Sequence, residues 1–247
     1  MHFHLPKPLH GWREFAGEVG IIVIGVLIAL SAEQVVQSWH WRGEVRETNS
    51  RLRKDMGYDL AVAYERFAID PCLRPRLSEL RDELLKRDAS WPGSRARFSN
   101  DLYKSNFPSV YRTPDRPWAE ASWQTALNGE VLGHFQPDRV QQFAALFNEV
   151  SFMERGQAEE VDTAATLGDL AFAGPISPDE RRSDLKIVSK LDALDARLLF
   201  LVQKLLGDAR EAGLAPDAQV VRALLKQQRS YRGSCVRTGH SLNIGGA

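Results

Sequence analysis

The sequence predicts an all-α protein in which one N-terminal transmembrane helix continues into a stalk and is followed by an irregular antiparallel helical bundle. A continuous apolar run covers Val19–Ala32. After it, apolar residues recur at helical spacing, and no useful length of alternating β-branched residues appears. The predicted organisation is a short tail (1–14), a transmembrane helix (15–36), a helical stalk (37–70), a helical body (71–230) with an aromatic loop (88–116), and a flexible C-terminal tail (231–247).

The apolar run forms the middle of the predicted transmembrane helix. A spanning helix needs about 20 mostly apolar residues, and Phe15–Gly17 and Val35–Val36 supply the missing length. Glu18 and Glu33 then lie near the two interfaces, where a carboxylate costs less than at the bilayer centre. Three tryptophans match the aromatic belts at headgroup level: Trp12, Trp39 and Trp41.

Two other interpretations of this stretch stay open. A cleaved signal peptide would use Ala29-Leu-Ser31 before Ala32 as a small-x-small cleavage site. A buried core helix would have a similar length, although a run that is apolar on every face lacks the amphipathic stripe of such a helix.

Small residues spaced four apart mark two faces of the apolar helix: Ala16 with Gly20, and Gly25 with Ala29. Such pairs let membrane helices approach closely. Besides the lipid bilayer, the expected partner of this helix is therefore a second copy of the chain or another membrane protein.

Proline and glycine divide the rest of the chain into helices. Asp70-Pro71 is predicted to end the stalk. Separate helices are then predicted over Arg74–Arg87, from Pro117 to Gly129, from Pro137 to about Phe172, from Ser177 to Gly207 or Gly213, and from Pro216 onward. The sequence Ser177-Pro-Asp-Glu180 is a capping box.

The two cysteines, Cys72 and Cys235, allow two interpretations. They are either free buried thiols or a disulfide that closes a long loop, which requires an oxidising compartment. They cannot form a four-ligand zinc site on their own.

Composition and motifs give no sign of catalysis. The 247 residues carry 32 basic and 32 acidic side chains, so no basic field is available for a nucleic-acid partner. Phosphate-loop, zinc-protease and serine-hydrolase motifs are absent from the sequence. Acid pairs such as Glu159-Glu160 are expected on solvated faces, and Asp195 beside an apolar stripe is expected to be exposed. We therefore expect a non-enzymatic protein without cofactor or metal.

A ligand-sensing function is the alternative expectation. Aromatic-lined clefts between helices hold small ligands, and four aromatic residues near the predicted loop could line one: Trp118, Trp123, Phe143 and Phe147. The same residues would equally make an ordinary core.

Two stretches resemble a family of uncharacterised bacterial single-pass membrane proteins. The first is His10-Gly-Trp-Arg-Glu-Phe15 with the apolar helix through Leu30 and Ala32-Glu-Gln34. The second is Ala121-Ser-Trp-Gln-Thr-Ala-Leu-Asn-Gly129 with the helix through Phe147. The resemblance implies a bacterial single-pass protein with a helical body, and it implies no activity.

These observations together predict a membrane-anchored helical interaction or scaffold module of the bacterial envelope. Lysine and arginine counts barely determine its orientation. Because long domains translocate largely regardless of charge, we expect the tail in the cytoplasm and the body in the periplasm, with the anchor in the inner membrane.

Overall fold

The computed structural model describes residues 11–86, 88–95 and 109–237. In these parts of the chain, five helices dominate and one short β-ribbon accompanies them. The helices are α1 (Gly11–Leu85), α2 (Ala121–Asn128), α3 (Pro137–Ala165), α4 (Pro178–Glu211) and α5 (Ala218–Arg232), and the strands are β1 (Ser90–Pro92) and β2 (Ala173–Pro175). The predicted all-α class, with a long N-terminal apolar helix and an antiparallel bundle, is confirmed. Most of the predicted N-terminal tail, residues 96–108 of the aromatic loop and residues 238–247 lie outside the described residues.

The apolar run and the centre of the body belong to one helix. Helix α1 has 75 residues, which corresponds to a length of about 110 Å. It continues through Pro71 and Pro75, so the predicted break at Asp70-Pro71 and the separate helix over Arg74–Arg87 are wrong. An internal proline costs about 3 kcal/mol, and this cost is outweighed because each fully buried aliphatic side chain nearby contributes about 1.5–3 kcal/mol. These side chains are Ile69, Leu73 and Leu77.

The predicted stalk is shorter than expected. Leu52, Met56 and Leu60 of α1 are completely buried, so the second half of the predicted stalk is the central helix of the body. Helix α4 packs along α1, α3 packs against α4, and α5 covers another part of α1. Gly156 permits a close approach of α3 to α4, because a Cβ atom there would lie 2.7 Å from Leu198 Cδ2.

The β-ribbon carried no signal in the sequence, since each strand has three residues and includes a proline. Trp91 of β1 is buried, and its indole nitrogen donates to the carbonyl of Leu170 at 2.6 Å. Gly93 follows with a φ of 79°, and a Cβ atom there would lie 2.9 Å from the backbone nitrogen of Ala173. Glycine is therefore required where the ribbon passes this close to its partner strand.

Candidate functional site

The apolar part of α1 stands free of the bundle. Side chains on all its faces are exposed, with Ile21 at 75 %, Ile22 at 65 % and Ile28 at 65 %. In the part of the chain that the structure describes, this is the single helix long and apolar enough to cross a membrane. Trp12 and Trp39 are also exposed, and they lie about 40 Å apart along the helix, close to the thickness of a bilayer with its headgroups.

The small residues of this helix have no partner within the described chain. A Cβ atom added at Gly20 or Gly25 would meet no atom within 4 Å. Ala16 and Ala29 are exposed. The two small-xxx-small faces are therefore open, and their pairing with another helix stays a prediction.

Close to the apolar run, α1 contacts the body through Trp41. Its ring stacks on His134 with a centroid distance of 3.9 Å and an interplanar angle of 16°. Beside this stack, a cleft of about 650 Å³ separates α1 from α2 and carries groups of both charges, including Glu44, Lys54 and Glu130. Trp41 lies about 14 Å beyond Ala32 along the helix, so this cleft is at the end of the body nearest the apolar run.

Two carboxylates of α1 hold the start of α2. Asp59 accepts the backbone N–H of Ala119 at 2.7 Å, and Asp55 accepts the backbone N–H and the hydroxyl of Ser122. The helix consequently begins at Ala121 rather than at the predicted Pro117. Burial raises the pKa of Asp59 to about 7, although the bond from Ala119 opposes this rise.

The aromatic residues predicted to line a pocket form core contacts instead. Trp123 stacks on Phe147 with centroids 5.4 Å apart, and Phe143 and Phe147 are almost fully buried in the main hydrophobic cluster. Trp118 is partly buried against the same cluster. Trp123, Phe143 and Phe147 therefore belong to the core rather than to the predicted pocket, because the Phe147 ring packs against both of the other rings.

A buried ion network joins three helices. Arg66 of α1 binds Glu160 of α3 through two nitrogens at 2.5 and 2.7 Å, and it binds Asp195 of α4 at 2.6 Å. Glu160 and Asp195 are buried, so the expectation that both are solvated is wrong. Burial raises the pKa of Asp195 to about 6, against the opposing effect of Arg66. Charge patterns along one helix could not reveal these carboxylates, since their partner lies on another helix.

A disulfide between Cys72 and Cys235 links the segment that follows α5 to α1. The Cα atoms are 5.2 Å apart across a sequence separation of 163. Nearby, the backbone N–H of Arg237 donates to the carbonyl of Ala68 at 2.8 Å, and its guanidinium binds Asp70 at 3.1 Å. Within the described residues, the predicted flexible tail from residue 231 is thus corrected, since α5 extends to Arg232 and residues 233–237 are held against α1.

A second cleft, of about 980 Å³, lies beside the disulfide between α1, the β-ribbon and the end of α5. Its charged lining groups are four arginines and one glutamate: Arg76, Arg95, Arg112, Arg232 and Glu79. We call this the arginine cleft. Sequence reasoning missed it because the five residues come from four separate segments of the chain, and only Arg76 and Glu79 share a helix.

Comparisons with protein-family models, with curated proteins and with solved structures each give no match. Among the described residues, no group of three or more His, Cys, Asp or Glu side chains could hold a metal ion.

Proposed function

We propose that this chain is a membrane-anchored helical interaction or scaffold module of the bacterial envelope. One observation carries the proposal: α1 passes without interruption from an apolar stretch exposed on every face into the centre of the hydrophobic core. A helix apolar on all sides stabilises a chain when lipid surrounds it. The continuous helix would hold the body at a fixed distance from the bilayer and present its surface to partners.

The body is assigned to the periplasm and the anchor to the inner membrane. The disulfide between Cys72 and Cys235 supports an oxidising compartment, since such bonds are rare in the cytosol. The resemblance of residues 10–34 to bacterial single-pass proteins supports the same location. The proposed role is non-enzymatic, and a homo-oligomer through the Ala16/Gly20 or Gly25/Ala29 faces would fit it.

Membrane extraction tests the anchor. We expect the full chain to stay with bacterial membranes after alkaline carbonate washing. Val26→Arg places a charge near the middle of the apolar run, which costs about 2.5–3.5 kcal/mol for insertion, so more of the variant should appear in the soluble fraction. Leu127→Arg, at an exposed leucine of the body, is the matched control and should stay with the membrane. A parent chain that is released by carbonate would refute the anchor.

A further inference from the structure

The disulfide between Cys72 and Cys235 borders open space. Both cysteines line the arginine cleft, and both residues are partly exposed. The cleft has a volume of about 980 Å³, which is within the range of small-molecule sites. Access is one of the factors that set the rate of thiol–disulfide exchange, and an opening of this size beside the bond leaves space for an attacking thiol.

Arg237 makes polar contacts with the bundle at the end of the described chain. Its backbone N–H donates to the carbonyl of Ala68 at 2.8 Å, and its own carbonyl accepts a long hydrogen bond of 3.5 Å from Arg229. Its guanidinium lies 3.1 Å from a carboxylate oxygen of Asp70 and 4.2 Å from the centre of the Phe67 ring. The Arg237 side chain is 41 % exposed, so the ion pair with Asp70 is solvated and contributes little.

The disulfide is the main restraint on residues 233–237. Val236 is the buried apolar residue of this segment. One buried valine, one good backbone hydrogen bond, one cation–π contact and one solvated ion pair stabilise the docked segment. Together they offset less than the conformational entropy that five fixed residues lose. With both cysteines reduced, the balance therefore favours release of the segment from α1.

We propose that the Cys72–Cys235 bond is a site of thiol–disulfide exchange, at which a dithiol reductant opens the bond and releases residues 233–237 from α1. One thiolate of the reductant attacks a sulfur atom of the bond, and the other cysteine leaves as a thiolate and takes up a proton. The second thiol of the reductant then attacks the mixed disulfide. The reductant ends as a disulfide and both cysteines end as thiols, so two electrons and two protons are transferred. The exchange does not depend on the membrane anchor.

Reduction of the full chain in neutral detergent tests the proposal. Dithiothreitol, a small dithiol, and reduced thioredoxin, a protein dithiol, are added separately at equal thiol concentration. Free thiols are measured over time by alkylation and mass spectrometry, with and without about 1 M urea. Hydrogen exchange reports on residues 233–237, and near-ultraviolet circular dichroism reports on the packing of the body. The double variant Cys72→Ser/Cys235→Ser is the matched control.

We expect the rate of reduction to change less than about twofold in urea, whereas reduction through unfolding of the body would be at least about tenfold faster there. Hydrogen exchange at residues 233–237 should rise at least about tenfold on reduction, while the near-ultraviolet signal persists. The double serine variant should show the fast exchange with or without a reductant.

The two reductants distinguish the source of the dithiol. Reduction by dithiothreitol alone would assign a small dithiol, and faster reduction by thioredoxin would assign a protein dithiol. The proposal is overturned if reduction requires unfolding of the body, if residues 233–237 stay protected after reduction, or if reduction abolishes the near-ultraviolet signal.

Discussion

Arg66 of α1 and Glu160 of α3 form a two-point ion pair at 2.5 and 2.7 Å, with the two side chains 8 % and 0 % exposed. The same guanidinium binds Asp195 of α4. One arginine on α1 thus joins the three longest described helices of the chain.

Removal of this arginine should destabilise the body strongly. Arg66→Leu leaves Glu160 and Asp195 buried without their shared partner, and loss of one member of a buried ion pair costs about 3–5 kcal/mol. Thermal unfolding followed by near-ultraviolet circular dichroism would measure the change. Arg182→Leu, which breaks an exposed pair with Asp179, is the control and should have a much smaller effect. Equal effects of the two variants would contradict the role given to Arg66.

The disulfide should contribute a comparable amount. Replacement of Cys72 and Cys235 by serine opens a loop with a sequence separation of 163, and we expect the free energy of unfolding to fall by about 3–5 kcal/mol. Denaturant titration of the double variant would measure this loss. The reduced parent chain serves as the control and should match the variant. Unchanged stability in both would show that the bond does not constrain the unfolded chain.

The stability of the body should depend on Asp59 near neutral pH. Burial raises its pKa from 3.8 to about 7, so between these values the folded chain holds a proton that the unfolded chain has released. The contribution of Asp59 to stability therefore falls as the pH rises through this interval, by at most about 1.4 kcal/mol per pH unit. Asp59→Asn removes the titration and should flatten the profile, since an amide oxygen can still accept the N–H of Ala119.

The stability profiles of the parent and of Asp59→Asn should differ most clearly between pH 6 and 7. At lower pH, Asp195, whose pKa is raised to about 6, adds a loss of stability of the same sign to both profiles. Asp192→Asn, at an exposed position of α4, is the control and should keep the parent profile. An Asp59→Asn profile as steep as that of the parent would rule out Asp59 as its source.

The open faces of the apolar helix predict pairing of two copies. Gly25→Leu fills the space that a neighbouring helix would occupy, so we expect a lower yield of crosslinked dimer in membranes. Gly43→Leu adds the same side chain to the same helix beyond the apolar run, where a Cβ atom would also meet nothing within 4 Å, and it should leave the yield unchanged. Crosslinking that is insensitive to Gly25→Leu would exclude this face.

Local chemistry was sufficient to predict several elements. The capping box at Ser177 begins α4 as expected, with Glu180 bonded back to the Ser177 backbone. Asp217 caps α5 by accepting the backbone N–H groups of Gln219 and Val220. The apolar helix was equally visible, because its pattern needs no knowledge of neighbouring residues.

Features that depend on distant contacts could not be predicted in this way. The helix continues through Pro71 because side chains on both sides of the proline are buried by other elements. Glu160 appeared to belong to a solvated acid pair, whereas its partner Arg66 lies 94 residues away in the sequence. The arginine cleft likewise exists only after α1, the β-ribbon and α5 have come together.

Thiol labelling in intact spheroplasts distinguishes a periplasmic body from a cytoplasmic one. A membrane-impermeant maleimide is applied before and after an impermeant phosphine reductant, and the labelling of Cys72 and Cys235 is measured against the double serine variant. A body in the periplasm predicts labelling after reduction without lysis, because the impermeant reagents then reach the disulfide. Labelling that requires lysis and needs no reductant would place free thiols in the cytoplasm and contradict both the orientation and the disulfide.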